Sequence, residues 1–162
     1  MKNIILTNKY VSIDIFSSFD TEIYKSFETD AGFDICSPVN IIINPFSFCV
    51  IDTGLSLKFN IIDNNNDFLY YAQVKGRSGL SINNSIEVSN AGVIDQDYTG
   101  NINIKLYNLG NKEYVINKYD RIAQLIIFQI PKLVFFDGVR ILNNNISRKS
   151  NGLGSSGKWI KK

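Results

Sequence analysis

The chain has 162 residues, a length typical of one domain, and a formal net charge of +2 at pH 7. This near-neutral balance argues against a protein that coats nucleic acid, and the 44% hydrophobic content argues against a disordered chain. The sequence contains no histidine, which excludes serine–histidine–aspartate triads, cysteine–histidine pairs and the histidine-based zinc motifs. Any general base must therefore be a carboxylate, a lysine, a tyrosine or a metal-bound hydroxide.

The two cysteines, Cys36 and Cys49, are too few to complete a structural zinc site when there is no histidine. They could form one disulfide, but the N-terminal apolar stretch is too short for a secretory signal, which favours free thiols in a reducing compartment. No apolar run approaches the ~18 residues that span a bilayer. We therefore expect an intracellular protein, cytoplasmic or nuclear, that is not secreted and binds neither membranes nor, directly, nucleic acid.

The hydrophobic pattern predicts strands, because short runs rich in Ile, Val, Phe and Tyr alternate with Gly, Asn, Asp or Pro. In chain order, the predicted strands are Val11–Phe16, Val39–Ile43, Phe46–Asp52, Leu55–Phe59, Phe68–Val74, Ile102–Tyr107, Ile122–Phe128 and Lys132–Phe136. A short helix is expected after Gly79, and no longer stretch has a helical period. Many short strands separated by turns predict an all-β fold, a sandwich, barrel or jelly roll.

Three segments carry further structural signals, which predict a two-faced strand, a surface loop and a tail. Asn101–Tyr107 alternates polar and apolar residues, which predicts a strand with one wet and one buried face. Asp63–Asp67 predicts a surface loop. Residues 143–162 are rich in Asn, Ser and Gly as far as Gly157 and predict a flexible tail that follows a single domain over residues 1–142.

Two segments match known functional motifs, but simpler structural interpretations are preferred for both. Gly152–Gly157 matches the dinucleotide fingerprint, but the sequence ends five residues later, so the required helix and acidic residue cannot follow. Its free N–H groups could wrap a phosphate, although an isolated glycine-rich end is more often disordered. Asp52-Thr53-Gly54 matches the aspartic protease triplet, and a turn between two predicted strands explains it more simply.

Gly76–Gly79 is a candidate phosphate-binding turn that follows a predicted strand. The guanidinium of Arg77 offers a planar fork for phosphate oxygens, and the hydroxyl of Ser78 can donate a further bond. Only four arginines occur, and two of them, Arg77 and Arg148, lie in glycine-rich, otherwise uncharged segments. This placement indicates phosphate clamps, while a plain turn at Gly76–Gly79 stays open as the alternative.

Gly92–Gly100 contains the candidate general base. Val93-Ile94 suits a strand, and Gly92 and Gly100 would be the hinges of a hairpin that carries a carboxylate and an aromatic ring. In a chain without histidine, Asp95 is the natural candidate for the base. An Asp-rich turn with Tyr98 packed on its neighbour remains an equal alternative.

Together these segments resemble five ordered motifs of the trimeric deoxyuridine triphosphate nucleotidohydrolase (dUTPase) family. No single motif is decisive, but five in this order and spacing are highly specific. They are Ala31–Ile35, Gly76–Leu80, Gly92–Gly100, Arg121–Leu125 and Arg148–Gly157. The resemblance implies an all-β, jelly-roll-like distorted barrel that assembles as a homotrimer with three shared active sites.

The resemblance also implies a reaction, the hydrolysis of dUTP to dUMP and pyrophosphate, which limits uracil incorporation into DNA and supplies dUMP for dTMP synthesis. Mg²⁺ is the implied cofactor, held by the substrate phosphates and not directly by the protein. In this scheme Asp95 activates the water that attacks the α-phosphate, and Arg77 neutralises phosphate charge. Asp34 matches a carboxylate that supports the site near the water molecules of the metal.

The remaining site residues are implied by the same resemblance. Tyr98 packs under the deoxyribose and excludes a 2′-OH, while main-chain groups of the third motif, at Gly92 and Ile94, read the uracil. The other positions match phosphate-binding residues or the tail that closes over a site on another subunit, namely Ser78, Gly79, Gln124, Arg148, Leu153, Gly154 and Ser155.

The tail motif departs from the family pattern. Leu153 stands where an aromatic ring usually stacks on uracil, so weaker substrate binding is expected, since base–aromatic stacking is worth ~1–3 kcal/mol. Lys149 replaces a usual glycine, and Ser156 replaces a usual threonine but keeps the hydroxyl.

Three alternatives are weighed against the hydrolase. A dCTP deaminase-like enzyme on the same fold would carry a catalytic glutamate and a different arginine–serine motif, so Gly76–Gly79 and the pair Asp95 and Tyr98 fit the hydrolase better. A nucleotide-binding regulatory protein is a second alternative, against which the intact Asp95 and Arg77 favour retained catalysis. An unrelated β-sandwich binding module would require all five matches to be chance.

Overall fold

The computed structural model describes residues 2–62, 67–90, 92–133 and 149–150. Within these ranges the chain forms thirteen strands and one short helix. The elements are β1 (Lys2–Thr7), β2 (Val11–Ser17), β3 (Ile23–Tyr24), β4 (Phe33–Cys36), β5 (Ile41–Ile43), β6 (Ser47–Asp52), β7 (Leu55–Ile61), β8 (Phe68–Lys75), α1 (Ser78–Asn84), β9 (Ile86–Val88), β10 (Val93–Asp95), β11 (Asn103–Asn108), β12 (Tyr114–Ile116) and β13 (Arg121–Pro131). The predicted all-β class is confirmed. In the described ranges, no helix is both long and apolar enough to cross a membrane.

The strands form four sheets, and the largest of them carries most of the predicted site. Its strand order is β10-β8-β13-β4-β3, and the other three sheets have the orders β1-β2-β7, β6-β11-β9 and β12-β5. All pairs between named strands are antiparallel. Strands that are adjacent in a sheet are often distant in sequence, so the chain crosses repeatedly from one sheet to another, as in a jelly-roll-like distorted barrel.

The core lies between the sheets and is built by alternation along the strands. In β11, Ile104 and Leu106 are buried while Asn103 is exposed, so the predicted wet and buried faces are confirmed. The same alternation buries Val11, Ile13 and Ile15 on β2. Each fully buried aliphatic side chain contributes about 1.5–3 kcal/mol through the hydrophobic effect. One continuous cluster of such residues therefore joins the sheets into a single packed body.

The segment Asp52-Thr53-Gly54 is a structural turn between β6 and β7. The N–H of Gly54 donates to Asp52 Oδ1 at 2.8 Å, and Gly54 has a φ of +66°, a conformation that favours glycine. The hydroxyl of Thr53 is buried and donates to the main-chain oxygen of Ile102 at 2.7 Å. These contacts confirm the interpretation of this triplet as a turn at a strand end.

The two cysteines are free and buried, as expected. Burial raises the pKa of the Cys36 thiol, and the carboxylates of Glu22 and Asp34 raise it further. Burial also raises the pKa of the Cys49 thiol. Both side chains therefore behave as small apolar groups of the core rather than as reactive thiols.

Seven of the eight predicted strands are present with shifted ends, and most of the eighth, Lys132–Phe136, falls outside the described residues. β13 continues to Pro131, and Lys132 and Leu133 lie in no strand. The predicted helix begins at Ser78, one residue before Gly79. Predictions for most of the loop Asp63–Asp67 and for most of the tail fall outside the described residues.

Candidate active site

Three polar side chains form a row across the outer face of the five-stranded sheet. Gln124 on β13 lies opposite Lys75 on β8 and opposite Asp34 on β4. Directly opposed residues of antiparallel strands project from the same face of a sheet. Their chain neighbours Val74 and Leu125 are buried in the core, so the row faces away from the core. We call Lys75, Gln124 and Asp34 the polar row.

Asp34 holds two arginine side chains at one end of the polar row. Its Oδ1 accepts a hydrogen bond from Arg77 Nε at 3.0 Å, and its Oδ2 accepts one from Arg121 Nη1 at 3.1 Å. The carboxylate side chain is only 7% exposed, so solvent screens these charge-assisted bonds weakly. Each guanidinium is therefore fixed by the same buried charge.

Further hydrogen bonds orient the side chains of both arginines. Arg77 Nη1 donates to the main-chain oxygen of Arg121 at 3.2 Å, and Arg121 Nη1 donates to Ser26 Oγ at 3.1 Å. Arg77 Nη2 makes no hydrogen bond to any described residue, which leaves one edge of its fork open. Because two guanidinium groups share the one carboxylate of Asp34, this cluster of three side chains carries a net positive charge that suits an anion.

Arg77 owes its place to the end of β8. It is the N-cap residue of α1, with extended backbone angles, and its carbonyl accepts the N–H groups of Leu80 and Ser81, both at 3.1 Å. Ser78 and Gly79 open the helix and are exposed. The structure thus brings together five predicted residues on one side of the molecule, Asp34, Arg77, Ser78, Gly79 and Gln124.

The candidate base lies on a different edge of the same sheet. Asp95 ends β10 and lies opposite Tyr71 of β8, and Ile94 lies opposite Ala72. The main-chain oxygen of Asp95 accepts the N–H of Tyr98 at 3.0 Å, which closes a turn. The predicted hairpin is wrong in its pairing: β10 pairs with β8, whereas β11 pairs with β6 and β9. The chain crosses here from one sheet to another.

Gly92 allows β10 to lie close to β8. Its main-chain oxygen accepts the N–H of Val74 at 2.8 Å. A Cβ atom at Gly92 would lie 2.7 Å from the main-chain oxygen of Val74, closer than side chains approach. Only glycine fits without moving the strand that carries Asp95.

The ring of Tyr98 is fixed from two directions. Its hydroxyl donates to the main-chain oxygen of Asn101 at 3.1 Å, and a Cβ atom at Gly100 would lie 2.5 Å from that hydroxyl. Tyr98 also forms a parallel bridge with Lys149, whose carbonyl accepts the N–H of Thr99 at 2.9 Å. Lys149 has a φ of +48°, the left-handed region that favours glycine.

An open cavity of about 590 Å³ lies beside Asp95. It is lined mostly by outward-facing residues of β8, β10 and β13, among them Leu69, Tyr71, Gln73, Val93 and Ile130. Next to it, the rings of Tyr71 and Phe128 stack with centroids 4.9 Å apart. The part of the sheet that surrounds Asp95 is therefore concave and largely apolar.

The phosphate-binding candidates and the candidate base are far apart in one copy of the chain. Asp95 lies level with Tyr71, and Lys75 lies four residues farther along β8. At ~3.3 Å per residue, this separation is about 13 Å, and Arg77 follows two residues later. The structure therefore does not bring Asp95 and Arg77 into one site within a single copy.

The described residues offer no ready-made metal cage. No three His, Cys, Asp or Glu side chains of the described ranges lie together in a way that could hold a metal ion. The buried carboxylate of Asp34 is already bonded through both oxygens to arginines. Asp34 therefore could not bind a metal ion without releasing an arginine, whereas the guanidinium of Arg77 suits an anionic ligand.

Sequence reasoning did not assign a site role to Arg121 or to Gln96. Arg121 shares Asp34 with Arg77, and its sequence signals are its place at the start of the fourth motif and the scarcity of arginine in the chain. Gln96 Oε1 accepts the N–H of Tyr70 at 2.9 Å and so ties the turn after Asp95 to β8. The predicted residues Arg148, Leu153, Gly154 and Ser155 lie outside the described ranges.

Comparison with known proteins identifies the family. The family described as dUTPase matches residues 21–157, most of the chain. The chain belongs to the dUTPase family. It is 38% identical over 136 residues to the deoxyuridine 5′-triphosphate nucleotidohydrolase of fowlpox virus (strain NVSL), a match that covers 83% of this chain and 88% of that protein. It is 37% identical over 131 residues to the enzyme of the same name from Zymomonas mobilis, covering 80% and 84% of the two chains.

Solved structures of dUTPases share the fold. The native EIAV dUTPase matches with a TM-score of 0.59 and 25% sequence identity, covering 83% of this chain and 98% of that chain. The dUTPase of Staphylococcus bacteriophage 80alpha, solved with dUPNHPP, matches with a TM-score of 0.64 and 24% identity, covering 93% and 100%. The predicted family and the predicted jelly-roll-like fold are confirmed.

Proposed function

We propose that this protein hydrolyses dUTP to dUMP and pyrophosphate. The observation that carries the proposal is the pair of arginines fixed by the buried carboxylate of Asp34, beside Ser78, Gly79 and Gln124. This is an anion-binding arrangement at the positions where the family binds its phosphate chain. The names of the relatives, deoxyuridine 5′-triphosphate nucleotidohydrolase, supply the substrate.

Arg77 is the main phosphate ligand in this proposal. Its Nε and Nη1 are held by Asp34 and by the carbonyl of Arg121, so the open Nη2 edge is presented to phosphate oxygens with little loss of side-chain entropy. A fixed cation stabilises the charge that develops on the phosphates in the transition state. Asp34 acts through Arg77 as a positioning residue.

Asp95 is the proposed general base. It abstracts a proton from the water that attacks the α-phosphate, a task for which a chain without histidine needs a carboxylate. Gly92 and Ile94 hold its strand against β8 and offer main-chain groups to the uracil. The fixed ring of Tyr98 provides a rigid surface for the deoxyribose, too close to admit a 2′-OH.

Mg²⁺, the cofactor that the family implies, would be held by the triphosphate. When bound there, it neutralises phosphate charge and polarises the phosphoryl group. In this proposal the protein holds the Mg²⁺–dUTP complex through Arg77, Ser78 and Gln124.

The active site is completed by a second copy of the chain. Within one copy, Asp95 and Arg77 lie too far apart to reach the same α-phosphate, because Arg77 follows Lys75, which is itself about 13 Å along β8 from the level of Asp95. The apolar surface around Tyr71, Phe128 and Ile130 lies beside Asp95, on the side away from Arg77, and gives a second copy a face to cover. We propose a homotrimer with three shared sites, in which one copy supplies the phosphate ligands and another supplies Asp95.

The test is pyrophosphate release from dUTP, dCTP, dTTP and UTP in the presence of Mg²⁺, with the Asp95→Asn variant beside the wild type. We expect release from dUTP alone and its loss in the variant. Ammonia release from dCTP would instead assign the protein to the deaminase group. Binding of dUTP without turnover would favour a regulatory protein.

A further inference from the structure

We propose that Lys75 is a further substrate-binding residue that contacts the phosphate chain of dUTP beside Arg77. The inference rests on the proposed function, which it deepens. Lys75 precedes Gly76–Gly79 and belongs to none of the five motifs. What assigns it to the site is its place in the sheet.

The register places Lys75 next to the predicted phosphate ligands. It is directly opposite Gln124, which is itself directly opposite Asp34, the residue that fixes Arg77. Opposed residues of antiparallel strands have Cβ atoms about 4.5–5.5 Å apart, so the ammonium of Lys75 can reach a ligand that touches Gln124. The flexible four-carbon stem of a lysine adds to this reach.

The charge of Lys75 is not used elsewhere among the described residues. The side chain is exposed, and its ammonium has no hydrogen bond or ion pair to any residue of the described ranges. The carboxylate of Asp34, in the same row, is already bonded to two guanidinium groups. An anion bound at the polar row would therefore meet a third cation, one that forms no ion pair with the described residues.

The substrate chemistry that fits is a polyphosphate. A triphosphate carries charged oxygens along its length, so different oxygens of one ligand can contact Arg77 and Lys75 at the same time. An ammonium–phosphate contact at a partly exposed site is weakened by salt. This property separates a direct phosphate contact from a packing role of the lysine stem.

The experiment compares Lys75→Gln with Lys75→Arg and with the matched control Lys58→Gln. Lys58 is also an exposed strand lysine, but it lies on β7 in another sheet, opposite Asp14. For each protein, KM and kcat for dUTP are measured at low and high ionic strength, and pyrophosphate binding is measured by calorimetry.

We expect Lys75→Gln to raise KM by about five- to tenfold with kcat nearly unchanged, the effect of one charge-assisted contact to a phosphate. Pyrophosphate should bind more weakly by a similar factor, the difference should shrink as salt rises, and Lys75→Arg should restore most of the affinity. Lys58→Gln should behave as the wild type.

Unchanged KM and pyrophosphate affinity in Lys75→Gln would overturn the inference, as would an equal loss in Lys58→Gln, which would indicate net charge alone. A wrong assignment of dUTP hydrolysis would give a different result, the absence of dUTP turnover in the wild type. Pyrophosphate binding needs no turnover, so it tests Lys75 in either case.

Discussion

Asp34 is the residue on which the proposed phosphate-binding side of the site depends. Its carboxylate is buried on β4, yet both oxygens are satisfied by arginines that come from β8–α1 and from β13. Without this charge, two partly exposed guanidinium groups would face each other with no carboxylate between them. The residue thus links the stability of the fold to the orientation of Arg77.

The substitution Asp34→Asn tests this link. We expect the free energy of unfolding to fall by about 1–3 kcal/mol, because a buried charged partner of two hydrogen bonds is lost. We also expect kcat/KM for dUTP to fall by about 100-fold, since Arg77 is no longer held in one orientation. Chemical denaturation and steady-state kinetics measure the two effects.

The matched control is Asp14→Asn, which removes a strand carboxylate that accepts a bond from Asn60 Nδ2 at 3.1 Å in another sheet. It should leave kcat/KM close to the wild-type value. A normal kcat/KM in Asp34→Asn would show that Arg77 does not need the carboxylate.

At the scale of elements, the position of Asp95 depends on the close approach of β10 to β8. Gly92→Ala places a methyl group against the main-chain oxygen of Val74, so the strand must shift. We expect a loss of about 1–3 kcal/mol in the free energy of unfolding, typical of overpacking, together with a fall in kcat. Thermal unfolding and kinetics provide the measurement.

Gly79→Ala is the control for stability at a glycine. Nothing lies within 4 Å of a Cβ atom at Gly79, which is inside α1. Alanine in a helix is favoured over glycine by about 0.5–1 kcal/mol, so this variant should be slightly more stable than the wild type. Equal stability of the two alanine variants would contradict the role given to Gly92.

The sequence predicts elements well where the signal is local and poorly where it is not. The strands β2, β8 and β11 follow from runs of apolar residues or from alternation, whereas β3 and β12 have two and three residues and are defined by their partners. The pairing of β10 with β8 has no local signal either, since the turn after Asp95 suggests a hairpin.

The candidate site also depends on contacts between distant residues that have no local signal in the sequence. The candidate residues were predicted through five motifs, but the bond between Asp34 and Arg121 joins residues 87 positions apart and emerges only when β4 and β13 pair. The distance between Asp95 and Arg77 likewise depends on sheet order, which no motif encodes.

At the scale of the whole molecule, the apolar face around Asp95 should be a contact between copies. Ile130 on β13 is 42% exposed and lines the cavity there. We expect Ile130→Asp to weaken assembly, because a charge would be buried at the interface, and to lower hydrolysis in proportion. Light scattering after size exclusion measures the molecular mass.

Val50→Asp is the control for this substitution. Val50 is 54% exposed on β6, in the sheet β6-β11-β9. It is therefore an exposed aliphatic residue that lies outside the five-stranded sheet of Ile130. It should leave mass and activity unchanged. An Ile130→Asp protein with the wild-type mass would place the contact between copies elsewhere.

Complementation between two inactive variants tests directly whether one site takes Arg77 and Asp95 from different copies. Asp95→Asn keeps the arginines, and Arg77→Gln keeps the base, so co-expressed copies can assemble sites that contain both intact residues. If different copies supply Arg77 and Asp95, random pairing predicts that about a quarter of the sites recover dUTP hydrolysis. Recovery near this level, with neither variant active alone, is the predicted result, and no recovery in a confirmed mixed assembly would contradict the shared site.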